Sequence, residues 1–275
     1  MNLFFVLLDV DFYFLTEVKM SIHSQIKDIL WEALFPSDGR CIFCKKLLLF
    51  EPNPFCYSCL DKIPWVGERV CKKCGKEEII GDTGLCIDCA HWEHQYEQGI
   101  SLFTYTGNGK KIIQEIKFNG NRKLALWTGK KIGQKLRKQN WQKKIQGIVP
   151  VPLHENRMKE RGFNQSEELA KGISSILDIF TLKDLLIRIK DTPHQTDLTR
   201  SQRQENIKKA FQVRDSRVIQ GKKVLLVDDV YTTGATINAC AETLKQAGAR
   251  EVYFAVAATG KSMMEEVFSL APHRH

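Results

Sequence analysis

The chain has 275 residues, of which 43% are hydrophobic and 27% charged, and a formal net charge of +9. That length can bury one substantial core and still carry a smaller appendage, so composition excludes an unfolded polar chain and predicts two domains. The apolar stretch from Leu3 to Leu8 is interrupted by Asp9 and Asp11 and has no basic residue ahead of it, which argues against an export signal or an integral membrane span.

Residues 1–19 read as a dispensable extension. Met20 opens a stretch in which Ile22, Ile26, Ile29 and Leu30 share a helical face, predicting a short helix within residues 1–35 and a start at either Met1 or Met20. Four Cys-x-x-Cys pairs follow at a fixed step of fifteen residues, and they begin at Cys41, Cys56, Cys71 and Cys86. Two residues between cysteines let both thiolates point at one ion from a tight turn, and two such knuckles complete a tetrahedral shell. Eight ligands therefore predict two zinc ions in a double zinc-ribbon module over residues 36–95. Equal spacing permits successive ribbons or a cross-braced arrangement. The successive reading is preferred, with Cys41, Cys44, Cys56 and Cys59 on one ion and Cys71, Cys74, Cys86 and Cys89 on the other. With no export signal these thiols are expected in a reducing cytoplasm, where paired cysteines are metal ligands more often than disulfides. The segment has few long apolar runs, so metal is expected to supply much of its folding energy. The ninth cysteine, Cys240, falls in a predicted helix and reads as a small core residue.

After residues 91–98 the pattern changes to alternating strands and helices, the mark of an α/β domain with a parallel sheet flanked by helices. Ile100 to Thr106 reads as a strand, and Lys110 to Phe118 and Arg122 to Gln139 as helices. From Lys110 to Lys144 the chain carries twelve Lys or Arg and one acid, Glu115. Lys131, Lys135 and Lys138 share a helical face in that segment and form a candidate nucleic-acid ridge. Trp127 and Trp141 lie close by for base stacking, unless they serve as core residues.

Ile145 to Val151 reads as a strand stopped by Pro152, and the next helix begins near Asn164, with Glu167 three residues on. Leu185 to Ile189 is a strand, and Thr192 to Lys208 is a polar loop long enough to be functional. Val224 to Val230 is a buried central strand, Thr236 to Ala247 a helix ended by Gly248, and Val252 to Ala257 a closing strand. Residues 261–275 read as a flexible tail.

The central strand ends in Asp228 and Asp229, then Tyr231, Thr232, Thr233, Gly234, Ala235 and Thr236 lead into the helix. Backbone N–H groups and threonine hydroxyls at a helix start suit a 5′-phosphate, helped by the helix dipole. The two acids are placed to accept hydrogen bonds from ribose 2′- and 3′-hydroxyls. Neither a Gly-Lys-Ser/Thr phosphate loop nor a G-x-G-x-x-G run is present, so triphosphate and dinucleotide readings lack support.

The acid pair with Thr232-Thr-Gly-Ala-Thr236 resembles the phosphoribosyl pyrophosphate (PRPP) motif of type I phosphoribosyltransferases. Val149-Pro-Val-Pro-Leu-His154, Arg157, Glu160-Arg-Gly-Phe-Asn-Gln165, Pro193-His-Gln-Thr196, Leu198, Arg200, Arg203, the stretch from Asn206 to Phe211 and the cysteine knuckles together resemble the ComF family of competence proteins over about residues 36–260. The resemblance implies a type I phosphoribosyltransferase-like domain over residues 96–260. It implies a pyrophosphate loop from Leu153 to Asn164 in which Arg157, Lys159 and Arg161 face the diphosphate, and a flexible hood from Thr192 to Lys208 in which Arg200 and Arg203 join Asp228 and Asp229 in any catalysis. Magnesium would bridge diphosphate and ribose oxygens.

The function so implied is that of a competence accessory protein that binds PRPP and handles single-stranded DNA entering the cytoplasm during natural transformation. Its expected partners are the competence helicase ComFA or the inner-membrane DNA uptake machinery, with cytoplasmic or peripheral location at the inner face of the membrane. The alternative is a phosphoribosyltransferase acting on an unidentified acceptor. No acceptor pocket is legible in the residues, so phosphoribosyl binding has more support than turnover.

Overall fold

The computed structural model describes residues 39–48, 53–77, 79, 82–190 and 210–260. The chain divides by packing into two compact units, residues 1–62 and 63–275. The motif-based boundary near residue 96 and this division differ, because the second cysteine ribbon belongs to the same unit as the α/β sheet.

In the first unit, Cys41 N donates to Lys46 O at 2.8 Å and Lys45 N to Cys41 O at 2.9 Å, forming a knuckle. Helix α1 (Tyr57–Asp61) then starts at Cys56. The second unit opens with the same design thirty residues on. Cys71 N donates to Lys76 O at 2.6 Å, and helix α2 (Ile87–His91) starts at Cys86. Gly75, with φ +76°, takes the turn position that Lys45 holds at φ +60° in the first knuckle.

The main sheet consists of β1 (Gly99–Thr104), β2 (Gly147–Pro150), β5 (Lys223–Tyr231) and β6 (Glu251–Thr259) in the order β1-β6-β5-β2, with every pairing parallel. Between them lie α3 (Gly107–Phe118), α4 (Arg122–Lys138), α5 (Glu155–Arg161), α6 (Gln165–Leu177) and α7 (Ala235–Gln246). A strand covered on both faces must be apolar throughout, and Val224 to Val227 and Val252 to Ala258 are all buried. Alternation along the strands sends Val224, Leu226, Val252, Phe254 and Val256 into one core with Ile237, Cys240, Ala241 and Leu244 of α7. Cys240 is thus the core residue its context implies. α6 packs on β2 and β5 and α4 on β1 and β6, and these two helices pack closely on each other. Glycines permit that approach: a Cβ on Gly129 would lie 2.2 Å from Leu169 O, and one on Gly172 2.4 Å from Leu126 O.

Two elements depart from the sequence reading. The expected loop from Leu153 to Asn164 contains α5, a two-turn helix stopped by Gly162 at φ +72°. Phe211–Val213 forms a strand, β4, that pairs antiparallel with β3 (Leu186–Arg188). Ile189 N donates to Ala210 O at 2.8 Å, which extends the β3–β4 pairing by one bond. The segment itself, with Arg200 and Arg203, lies outside the described residues, as do the N-terminal extension with its expected helix and the tail.

Candidate functional site

Strand β5 carries Asp228 and Asp229 to the sheet's C-terminal edge, and the chain turns at Gly234 into α7. Gly234 holds φ +78°, a conformation that favours glycine. Gly234 has no side chain to cap the helix, Ala235 N donates to Thr233 Oγ1 at 3.4 Å, and Val230 to Ile237 line a small cavity at this helix start. Thr233 is buried, Thr236 half-buried and Thr232 exposed along this turn.

The acids are held by neighbours from two other helices. Asp229 Oδ2 accepts from Lys117 Nζ of α3 and from Gln165 Nε2 of α6, both at 2.9 Å. Asp228 Oδ1 accepts from Ser166 Oγ at 3.0 Å and from Asp229 N at 2.9 Å. Asn164 caps α6 by accepting from Ser166 N at 2.9 Å and anchors it by donating to Val151 O at 3.1 Å. That is how Gln165 and Ser166 come to face the acids. Burial, then the charge of Asp229, push the Asp228 carboxyl up to about 7. Two carboxylates so arranged welcome hydroxyl donors or a cation.

Of the expected diphosphate cations, Arg157 and Arg161 are half-buried and one helical turn apart on α5, and Lys159 is exposed. Arg161 Nη1 donates to Gln165 Oε1 at 3.1 Å, which ties α5 to the acid pair through a residue that also binds Asp229. Lys117, Gln165 and Ser166 had no role in the sequence reading. The signal available was Asn164 as an N-cap, since a cap fixes where the next two side chains point.

The lysine face of α4 is not uniform. Lys138 is exposed, and Lys131 lies over the Trp127 ring at 5.4 Å. Lys135 turns inward: its Nζ donates to Ser101 O at 3.0 Å and Val66 O at 3.2 Å, and burial pushes its pKa down. Its charge serves two carbonyls rather than a solvent-facing row. Trp141 is only 2% exposed and packs edge-on against Tyr253 at 5.4 Å, so it belongs to the core.

The eight cysteines gather as two sets, Cys41, Cys44, Cys56 and Cys59 in the first unit and Cys71, Cys74, Cys86 and Cys89 in the second, with the sulfurs of each set within 4.8 Å of one another. Successive pairing is therefore the arrangement adopted. Cys44 Sγ to Cys56 Sγ and Cys74 Sγ to Cys86 Sγ are each 3.6 Å. A tetrahedron with zinc–sulfur bonds of about 2.3 Å has edges of roughly 3.8 Å, so both sets fit zinc. Hydrogen bonds from the Cys74, Cys86 and Cys89 thiols pull Cys71 well below the usual thiol range, and the same crowding pushes Cys74 well above it. Four sulfurs this close form a set whose protons a divalent cation would replace.

Residues 30–90 match the double zinc ribbon domain family, and residues 164–268 the phosphoribosyl transferase domain family. Competence protein F of Haemophilus influenzae is 30% identical over 221 residues, covering 78% of this chain and 93% of that protein. Competence protein ComFC of Streptococcus pneumoniae is 31% identical over 230 residues, covering 78% and 96%. DNA utilization protein YhgH of Salmonella typhi is 28% identical over 220 residues, covering 78% and 94%. Among solved structures, glutamine PRPP amidotransferase from Bacillus subtilis matches at 20% identity and TM-score 0.34, over 48% of this chain and 25% of that one. Among the described residues no helix is long and apolar enough to cross a membrane.

Proposed function

The chain belongs to the ComF/ComFC family of competence proteins, and on that premise we propose that it is a cytoplasmic accessory protein of natural transformation that binds PRPP with magnesium and also binds single-stranded DNA. One observation carries the PRPP reading. Two adjacent carboxylates, one of them raised to about 7 by burial and by the other's charge, stand just before a threonine- and glycine-containing turn at a helix start. In this reading Asp228 and Asp229 accept the ribose hydroxyls, while the backbone from Thr232 to Thr236 takes the 5′-phosphate. Arg157, Lys159 and Arg161 of α5 face the diphosphate, and Arg200 and Arg203 add charge from the segment that follows β3. Magnesium, when bound, neutralises diphosphate charge and ties it to the ribose oxygens.

The DNA reading is supported by the charge of the segment from Lys110 to Lys144. Its contact cations exclude Lys135 and include Lys131 and Lys138, with Trp127 as the aromatic neighbour. PRPP with magnesium is expected to raise the melting temperature of the wild type and to leave that of the Asp228→Asn/Asp229→Asn variant unmoved. Single-stranded DNA affinity should fall steeply with salt, with a shallower salt slope for Lys131→Glu/Lys138→Glu. An identical slope in that variant removes these lysines from the DNA contact. Pyrophosphate released only with a defined base or amine would instead favour the transferase reading.

A further inference from the structure

The second cysteine set and the candidate phosphate turn share one buried cluster. Cys71, Cys74 and Cys86 lie in the same core as Tyr96, Tyr231, Ala235 and Ile237. Tyr231 ends β5 and begins the turn. Its hydroxyl is 2.7 Å from that of Tyr96, its ring stacks on Phe254 at 5.0 Å and 9°, and Tyr96 meets both rings edge-on. A Cβ on Gly234 would come within 2.5 Å of the Tyr231 hydroxyl, so the turn rests directly on that oxygen.

From the ribbon side, Lys76 Nζ lies over the Tyr231 ring at 5.7 Å and pairs with Asp88 Oδ2 at 2.9 Å, with both side chains buried. Lys76 belongs to the knuckle of Cys71 and Cys74, and Asp88 stands between Cys86 and Cys89. This buried ion pair therefore joins the two knuckles of the second cysteine set beneath the Tyr231 ring. Residues 95–97, which follow the ribbon, also grip α7 at both ends. Gln95 N donates to Asn238 Oδ1 at 2.7 Å, and Lys245 Nζ pairs with Glu97 Oε1 at 2.7 Å.

We propose that the second zinc centre is a working part of the sugar-phosphate site: Tyr96 and Lys76 are positioning residues that couple the order of the Cys71–Cys89 ribbon to the turn from Tyr231 to Gly234. Zinc at this centre and a phosphoribosyl ligand then strengthen each other's binding. The inference rests on the PRPP reading of that turn. Coupling of this kind is reciprocal, so ligand should protect the metal as much as metal supports the ligand.

The test follows zinc leaving the full-length protein. Protein carrying two zinc equivalents is mixed with a chromogenic chelator, with and without PRPP and magnesium, and binding heat is measured in parallel. One equivalent is expected to leave at an unchanged rate and the other at least about 5-fold more slowly with ligand. The first centre is the internal reference: Cys56→Ser should remove the unprotected equivalent and leave the protected one. Tyr96→Phe leaves the buried Tyr231 hydroxyl unpaired and should lose the protection, with PRPP affinity weakened about 3- to 10-fold. Tyr96→Phe/Tyr231→Phe removes both partners at little cost to stability and should also lose it, which separates positioning from misfolding. PRPP heat with both zinc equivalents leaving at unchanged rates would overturn the coupling. Absence of heat would instead sink the PRPP reading on which it stands.

Discussion

Asp228 sits in the fold at a cost to stability that depends on pH. An aspartate in an unfolded chain loses its proton near pH 4, whereas the folded site holds it to about 7 because of burial, Asp229 and only partial relief from Lys117. The folded state binds that proton more tightly, so this contribution to stability is complete below about pH 4 and is lost as pH rises through about 7. Asp228→Asn keeps an oxygen for Ser166 Oγ and Asp229 N and carries no charge. Its melting temperature relative to wild type should therefore rise between pH 5 and pH 8.5, by at least about 2 °C. Equal melting curves at both pH values would show that Asp228 is not strained by its neighbour. Lys135 teaches the opposite lesson about single residues. Helical spacing correctly put it near Lys131 and Lys138, but spacing carries no information about the carbonyls of Ser101 and Val66 that draw its ammonium inward.

At the scale of elements, strands and helices with strong periodic patterns were legible, and short elements made by tertiary contact were not. The run from Val224 to Val230 could be read as a buried strand because a parallel sheet covered on both faces leaves no polar alternation. β4 is three residues long and exists through its pairing with β3, so no local pattern announced it. α5 is seven residues and largely polar, and the resemblance to a loop masked it. The α4–α6 contact depends on glycines that looked like ordinary helix residues. Gly172→Ala should push a methyl toward Leu126 O and destabilise the protein by about 1–3 kcal/mol, read as a lower denaturation midpoint with an unchanged m-value. A neutral or stabilising effect would mean that the two helices separate without penalty.

For the whole molecule, the grouping of acid pair, threonines and helix start was readable because these residues are contiguous in the chain, a local grouping that folding only has to preserve. The cysteine grouping was readable for the same reason, as each set of four falls within nineteen consecutive residues. What surrounds the acid pair and its turn was not, since Lys117, Gln165, Tyr96 and Lys76 arrive from four other segments and acquire meaning only through packing. That is also why the second ribbon, continuous in motif with the first, sits in the compact unit of the sheet. The central claim, a phosphoribosyl site at the junction of β5 and α7, is tested most directly by calorimetric titration of PRPP and magnesium into zinc-replete protein. The account predicts saturable heat at one ligand per chain, abolished by Asp228→Asn/Asp229→Asn. Zero heat from folded wild-type protein, or heat that survives in that variant, would contradict it.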